Sequence, residues 1–223
     1  MRIGCIIQAR LNSTRLPNKV NADIGGWPMI KHVTQRMERR RMAKVEGLVP
    51  GVVAWAHDYP ELNENDVLGR YTLCARRNAL DAIMRVTGDC PLIDPEACQR
   101  VLERFLLGFD YCANDLVATY PDGLGCEVFT REALEYANLH VSDNNPADRE
   151  HVTPFIIRGA RKGQFMYSNV RCPIVGVEAL KFSVDTQEDL DRARAIDAAG
   201  PADFSLAATL EAYERSKVKK MFE

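Results

Sequence analysis

At 223 residues and a net charge of -2, the chain is long enough for one sizeable α/β domain and lacks the basic excess of a general nucleic-acid binder. No apolar stretch is long enough to span a bilayer and the N-terminus carries no signal-peptide pattern, so no membrane partner is expected. Seven cysteines, an odd number without a C-x-x-C pair, read as reduced thiols of a cytoplasmic protein, mostly buried, and four scattered histidines give no zinc spacing.

The apolar run Ile3-Gly4-Cys5-Ile6-Ile7 predicts a strand over residues 2–8, buried on both faces. Behind it comes a loop, 9–20, that carries Arg10, Arg15 and Lys19, with Ser13 and Thr14 between them and Pro17 to stiffen it. The carboxyl end of a first strand is where open α/β sheets bind ligands. Cations gathered there repel one another unless an anion joins them, and a polyphosphate suits guanidinium forks, an ammonium and hydroxyls. Any one of these residues alone reads as a solvated surface charge; the cluster and its position favour phosphate. It is not a P-loop, because no G-x-x-x-x-G-K-[ST] occurs.

A helix is expected from about 27 to 42, its end marked by Arg39-Arg40-Arg41 at the negative pole. Residues 43–65 are ambiguous, since Gly47, Pro50, Gly51 and Pro60 break any helix while Val49 to Trp55 suit a short strand. The next helix starts at Asp66 with Val67, Tyr71, Cys74 and Ala75 on one face, and Asp81 to Val86 follow as a strand. Asp94-Pro95-Glu96 then caps a helix that carries Val101, Leu102, Phe105 and Leu106 inward. Further on, the pattern predicts strands near 110–113 and 125–129, a helix capped by Thr130 and running to about 139, and another over roughly 147–161. Strands near 164–168 and 180–184 come next, then a helix capped by Thr186 and running through Ala198, with an amphipathic helical tail from 204. Alternating strands and helices imply an α/β fold of three layers around a mainly parallel sheet. The whole chain reads as a single domain, 1–223, with a C-terminal helical tail at about 204–223.

Two aspartates complete the candidate site. Asp89 sits in the turn after the strand that ends at Val86, on the same sheet edge as the basic loop. A carboxylate facing a polyphosphate repels it unless a divalent cation lies between, and Mg²⁺ takes one or two protein carboxylates plus water and phosphate oxygens. The alternative for Asp89 is a turn-former bonding its own backbone. Asp185, after a strand ending at Val184, is either a second metal ligand or only the residue before a helix cap. Glu127 lies inside an apolar strand, where an unpaired carboxylate is costly, so it faces solvent, pairs with a cation such as Arg149, or lines a pocket. His151 reads as a base or as a plain surface residue.

The stretches ARLNSTRLPNK, NDVLGRY, VTGDCPLIDP, TYPDGL, EVFTREALE, DREHVTP and FSVDTQEDL, in that order, resemble the motifs of cytidylyltransferases of the spore-coat polysaccharide biosynthesis type. These are relatives of the acylneuraminate and 3-deoxy-manno-octulosonate cytidylyltransferases. The resemblance implies a Rossmann-like nucleotide-diphosphosugar-transferase fold and transfer of CMP from CTP to an acidic sugar, with Mg²⁺ as cofactor, for surface polysaccharide biosynthesis. It implies a homodimer as well. On its motif positions Ala9, Arg10, Ser13, Arg15, Lys19 and Gly88 would hold the nucleotide, and Arg10, Lys19 and Asp89 would be catalytic. Asp89 and Asp185 would hold the metal, and Asp122, Glu127, Arg149 and His151 would face the sugar. Two departures stand out. Asn18 occupies a position where the family carries glycine, and one strand–helix unit is absent or collapsed in 43–65. Residues 49–55 are therefore expected to run beside strand 2–8 as the surviving wall, with Trp55 covering a bare edge that invites a second chain. The competing functions are a non-catalytic or degenerate nucleotide-binding homologue and a sugar-nucleotide-dependent glycosyltransferase on the same fold.

Overall fold

The computed structural model describes residues 1–9, 13, 15–38, 48–55, 58–142 and 145–220, with 48–55 and 218–220 described by backbone alone. The first strand, β1 (Ile3–Ala9), leads through the loop to a 3₁₀ turn at Lys19–Asn21. A small hairpin, β2 (Asp23–Ile24) with β3 (Trp27–Pro28), precedes α1 (Met29–Arg36). Next come β4 (Leu48–Trp55), α2 (Val67–Arg77), β5 (Ala82–Thr87), α3 (Pro95–Phe105), β6 (Tyr111–Ala113) and β7 (Glu127–Thr130). The chain then runs through α4 (Arg131–His140), α5 (Pro146–His151), α6 (Pro154–Arg161), β8 (Tyr167–Asn169), α7 (Gln187–Ala198) and α8 (Leu206–Lys220).

The six-stranded sheet has the order β4-β1-β5-β7-β6-β8. Its β1–β4, β1–β5 and β6–β8 pairs are parallel, while β7 runs antiparallel to both neighbours. This mainly parallel sheet lies between two helical layers, as the alternating pattern predicts. Ile3, Cys5 and Ile7 of β1 pack with α1, α3 and α7 on one face. Ile6 points to the other face, against α2, α4 and α6. A third core under Leu92, Leu124 and Phe182 is closed by α7 and α8. All seven cysteines are free thiols, six of them buried. No helix among the described residues is long and apolar enough to cross a membrane.

Residues 49–55 do run beside β1, in parallel, and form the edge of the sheet. Pro50 and Gly51 do not break the strand, because the register shifts between Gly4 and Ile6 and leaves them at an irregularity on an edge, where proline is tolerated. The caps read from sequence are in place: Asp94 accepts from Glu96 N–H, Thr130 from Ala133 N–H, and Thr186 and Asp189 form a reciprocal capping box. Asp66, expected as the start of a helix, is its cap instead and accepts from Gly69 N–H.

Four expectations need correction. Trp27 and Pro28 belong to the hairpin, so the helix begins at Met29, and Arg39-Arg40-Arg41 lie outside the described residues. Leu106 is exposed rather than buried, since α3 ends one residue earlier. The helix expected over 147–161 is two helices. Between them Val152 takes φ 71° and ψ -60°, and Thr153 N–H donates to the His151 carbonyl at 2.9 Å. That is a γ-turn of the strained hand, and Pro154, with no N–H to give, starts the second helix. Finally, 180–184 joins no ladder beyond a single bridge between Lys181 and Asp122. Its backbone serves loops instead: Phe182 N–H donates to Asp122 O at 2.6 Å, and Val184 N–H to Asp89 O at 2.9 Å.

Candidate active site

The parallel pairing of β1 with β5 sets their carboxyl ends side by side, with Gln8 opposite Thr87. Gly88 turns the chain there. Its N–H donates to Gln8 O at 3.0 Å, and a Cβ on it would lie 2.8 Å from that same oxygen, so no side chain fits. A cleft of about 170 Å³ opens at this edge, lined by Gln8, Ala9, Ser13, Arg15, Lys19, Val20, Thr87, Gly88, Asp89 and Asp185. The basic loop, the turn after β5 and the segment before α7 therefore meet in one place, although 170 positions separate Arg15 from Asp185. Of the residues expected here, Arg10 and Thr14 lie outside the described ones.

Lys19 is the hub. Its ammonium donates to Asp89 Oδ2 at 2.7 Å, Val184 O at 2.8 Å and Asp185 Oδ1 at 3.1 Å. The residue before it, Asn18, holds φ 57° and ψ 26°, the left-handed conformation that suits glycine and that asparagine tolerates. Asn21 Nδ2 donates to Asn18 Oδ1 at 2.8 Å and ties the turn down. Arg15 reaches Asp185 Oδ1 at 2.9 Å while its side chain stays 65% exposed. Leu16 N–H donates to Ser13 Oγ at 3.4 Å.

Burial pushes the Asp185 carboxyl up, but hydrogen bonds and charge from Lys19 and Lys181 pull it below its ordinary value. Lys181 is itself held by Asp189 at 2.6 Å. Burial also works against the Asp189 charge, and Lys181, two backbone N–H groups and Arg192 outweigh it, leaving this carboxyl far below the usual range. The chain of alternating charge thus runs from the cleft into the first turn of α7. Among the described residues no group of three His, Cys, Asp or Glu gathers as a metal site. Two carboxylates and a carbonyl around one point suit a hard cation that completes its shell with water and phosphate oxygens, as Mg²⁺ does.

The residues expected to face a sugar are dispersed. Asp122 accepts from Ser183 Oγ at 2.6 Å, on the segment that continues to Asp185. Glu127 is buried and bonded to Arg85, with Tyr111 OH donating to it at 2.6 Å. Its cation is thus Arg85 and not Arg149, because the antiparallel register sets Arg85 opposite Glu127. Arg85 also donates to Gln8 Oε1 at 3.2 Å and so links this pair to the cleft. Arg149 instead lines a different cavity of about 350 Å³, with Asn63, Asn65, Asp66 and Pro146. His151 is exposed at the end of α5. Sequence reasoning missed Gln8 and Arg85. The available signal was Arg85 itself, the single charge in an otherwise apolar strand, matched by Glu127 in another.

A sequence profile described as Cytidylyltransferase matches residues 4–45. An uncharacterized protein of Methanocaldococcus jannaschii is 30% identical over 203 residues, covering 85% of this chain and 80% of the relative. A 3-deoxy-manno-octulosonate cytidylyltransferase of Brucella suis is 35% identical over 114 residues, 46% of this chain and 45% of that one, so the match spans less than half of that relative. Among solved structures, a cytidylyltransferase from Leptospira borgpetersenii superposes with a TM-score of 0.81 at 23% identity over 99% of this chain and 96% of that one. A CMP:2-keto-3-deoxy-manno-octonic acid synthetase complexed with CTP superposes at 0.60 and 19% identity, covering 89% of this chain and 99% of that one. The fold is the Rossmann-like one of the nucleotidyltransferases, and with the profile and the relatives it leads to one conclusion: this chain belongs to the cytidylyltransferase family.

Proposed function

We propose that the protein transfers CMP from CTP to the hydroxyl of an acidic sugar, releasing pyrophosphate, as a step toward a surface polysaccharide. The hydroxyl oxygen forms a bond to the α-phosphorus as the bond to the β-phosphate oxygen breaks, and the hydroxyl proton is released. The single observation that carries this reading is the convergence of Arg15, Lys19, Asp89 and Asp185 on one cleft at the carboxyl ends of β1 and β5. Such chemistry needs little covalent help; it needs an in-line nucleophile and neutralised phosphate oxygens. In this reading Ser13, Arg15 and Lys19 hold the triphosphate together with Arg10, while Ala9 and Gly88 let the nucleotide approach the backbone. Asp89 and Asp185 hold Mg²⁺, which when bound would neutralise phosphate charge. Asp122, bonded to Ser183 two residues before Asp185, and Glu127, linked through Arg85 to Gln8, are the better candidates for the sugar side.

Pyrophosphate release with CTP, ATP, GTP and UTP, each with a panel of acidic sugars, tests the proposal. Release with CTP and an acidic sugar is the expected result. A second reading, a nucleotide binder without activity, is favoured by the edge position of β4, the last strand beyond β1 among the described residues. CTP binding with no pyrophosphate from any sugar would establish that reading instead.

A further inference from the structure

The Lys19 ammonium has three protons to donate, and all three are used: on Asp89, Asp185 and the Val184 carbonyl. These are the oxygens that a divalent cation between the two aspartates would take. We propose that in the nucleotide-free protein Lys19 is the resident cation of that seat, so that metal enters the cleft only as a polyphosphate draws Lys19 away. The inference rests on the nucleotidyl-transfer reading of this site.

Three observations carry it. First, the seat does not depend on Lys19 for its shape. Val184 N–H donates to Asp89 O at 2.9 Å, which joins the two carboxylate-bearing segments backbone to backbone. Second, Asp185 has an independent anchor. Its Oδ2 lies 3.3 Å from Lys181 Nζ, and Lys181 is fastened to Asp189 at 2.6 Å, so Asp185 stays in place when Lys19 leaves. Third, the seat cannot hold both cations. A metal bonded to Asp89 and Asp185 would stand about 2 Å from the oxygens that now hold the ammonium, and two cations at such separations repel strongly in a partly dehydrated cleft. The Lys19 side chain is only 13% exposed. On its flexible stem it can leave the seat if another anion receives it, and a triphosphate on the basic loop is that anion.

Metal and nucleotide binding are then reciprocally coupled, each raising the affinity for the other by the same factor. The test is a titration of the protein with Mn²⁺ alone, followed by water-proton relaxation, on wild type, Lys19→Met and Lys19→Gln, with folding checked by circular dichroism. Both variants should bind Mn²⁺ without nucleotide on the order of 10-fold or more tighter than wild type, within the usual range of coupling between sites. Asp89→Asn in the Lys19→Met background should abolish the gain. Equal or weaker Mn²⁺ binding in both variants overturns the proposal, as does a wild type that binds Mn²⁺ equally well with and without CTP. Failure of the functional reading looks different: Mn²⁺ still tightens on loss of Lys19, but no sugar yields pyrophosphate.

Discussion

Two clusters of cations and aspartates line separate cavities of this protein, and they are built in opposite ways. In the Asp66–Arg149 cluster the guanidinium meets the carboxylate as a fork, Nε to Oδ1 at 2.7 Å and Nη2 to Oδ2 at 2.9 Å. Its remaining arm reaches the carbonyls of Asn138 and Val141 at 3.4 Å, while Asp66 also caps α2. Three helices are fastened at that point. In the cleft, one ammonium is divided between two carboxylates on loops, and the nearby guanidinium is mostly solvated. The same residue types thus make a saturated strut in one place and an exchangeable set in the other. Donors are filled in both; what differs is that a planar two-point fork between helices is held in one geometry, whereas the three single contacts of an ammonium on a flexible stem are not.

The sharpest way to separate the two clusters is to remove one carboxylate charge from the cleft. Asp89→Asn keeps the shape and should lower pyrophosphate release by about 10²–10³-fold, the scale of losing a group that stabilises transition-state charge. Stability should change by no more than about 0.5 kcal/mol, because the side chain is partly exposed and the substitution leaves no cavity. A Tm shift as large as that of a core mutation would make Asp89 a strut as well.

The converse variant is Arg149→Ala. It should cost about 2–3 kcal/mol of stability, somewhat less than the range for breaking a fully buried pair, since both partners retain some exposure. CTP affinity below the unfolding transition should be unchanged, and lysine should rescue poorly because it cannot form the fork. A weakened CTP affinity in the folded variant would erase the distinction and return Arg149 to the substrate side, where the family resemblance puts it.

The contrast also explains what the sequence could tell. β1, the basic loop, the Asp89 turn and the caps of α3, α4 and α7 were legible because each rests on a local rule: an apolar run, a turn residue, a side chain reaching its own helix. Within the ambiguous 43–65, residues 49–55 were legible as a strand despite Pro50, since an edge tolerates it. The partners of Glu127 and Arg149 were not legible. Pairing of Arg85 with Glu127 follows from antiparallel register between strands 42 positions apart in sequence, which no local pattern encodes. The segment 180–184 has strand composition, yet its hydrogen bonds go to two loops and to Lys19, so it joins no ladder. The broken helix at Val152 shows the reverse case. Pro154 was visible, but periodicity on either side of it concealed the turn.

A smaller effect probes the solvated part of the cleft. Arg15→Ala should weaken CTP binding by about 1.5 kcal/mol, the low end for a hydrogen bond to a charged group, because the guanidinium is well exposed. Calorimetry measures it directly. An unchanged affinity would leave Lys19 as the cation of the described loop that matters to the nucleotide, and would narrow the exchangeable cluster to the three groups around its ammonium.

The smallest effect concerns how that ammonium is aimed. Asn18 is the residue before Lys19 and holds a left-handed backbone, so the direction in which the Lys19 side chain leaves the loop is set there. Alanine at this position should cost about 1 kcal/mol, since its Cβ disfavours that conformation and the bond from Asn21 is lost. Glycine loses the same bond but adopts the conformation freely and should fall within about 0.5 kcal/mol of wild type, its relief of strain offset by the lost bond and the entropy of a looser unfolded chain. If aim matters to the exchangeable cluster, Asn18→Ala should also weaken CTP binding while Asn18→Gly does not. Equal nucleotide affinity in both variants, measured beside their unfolding curves, would mean that Lys19 finds the phosphate by the flexibility of its own stem and that the turn contributes stability alone.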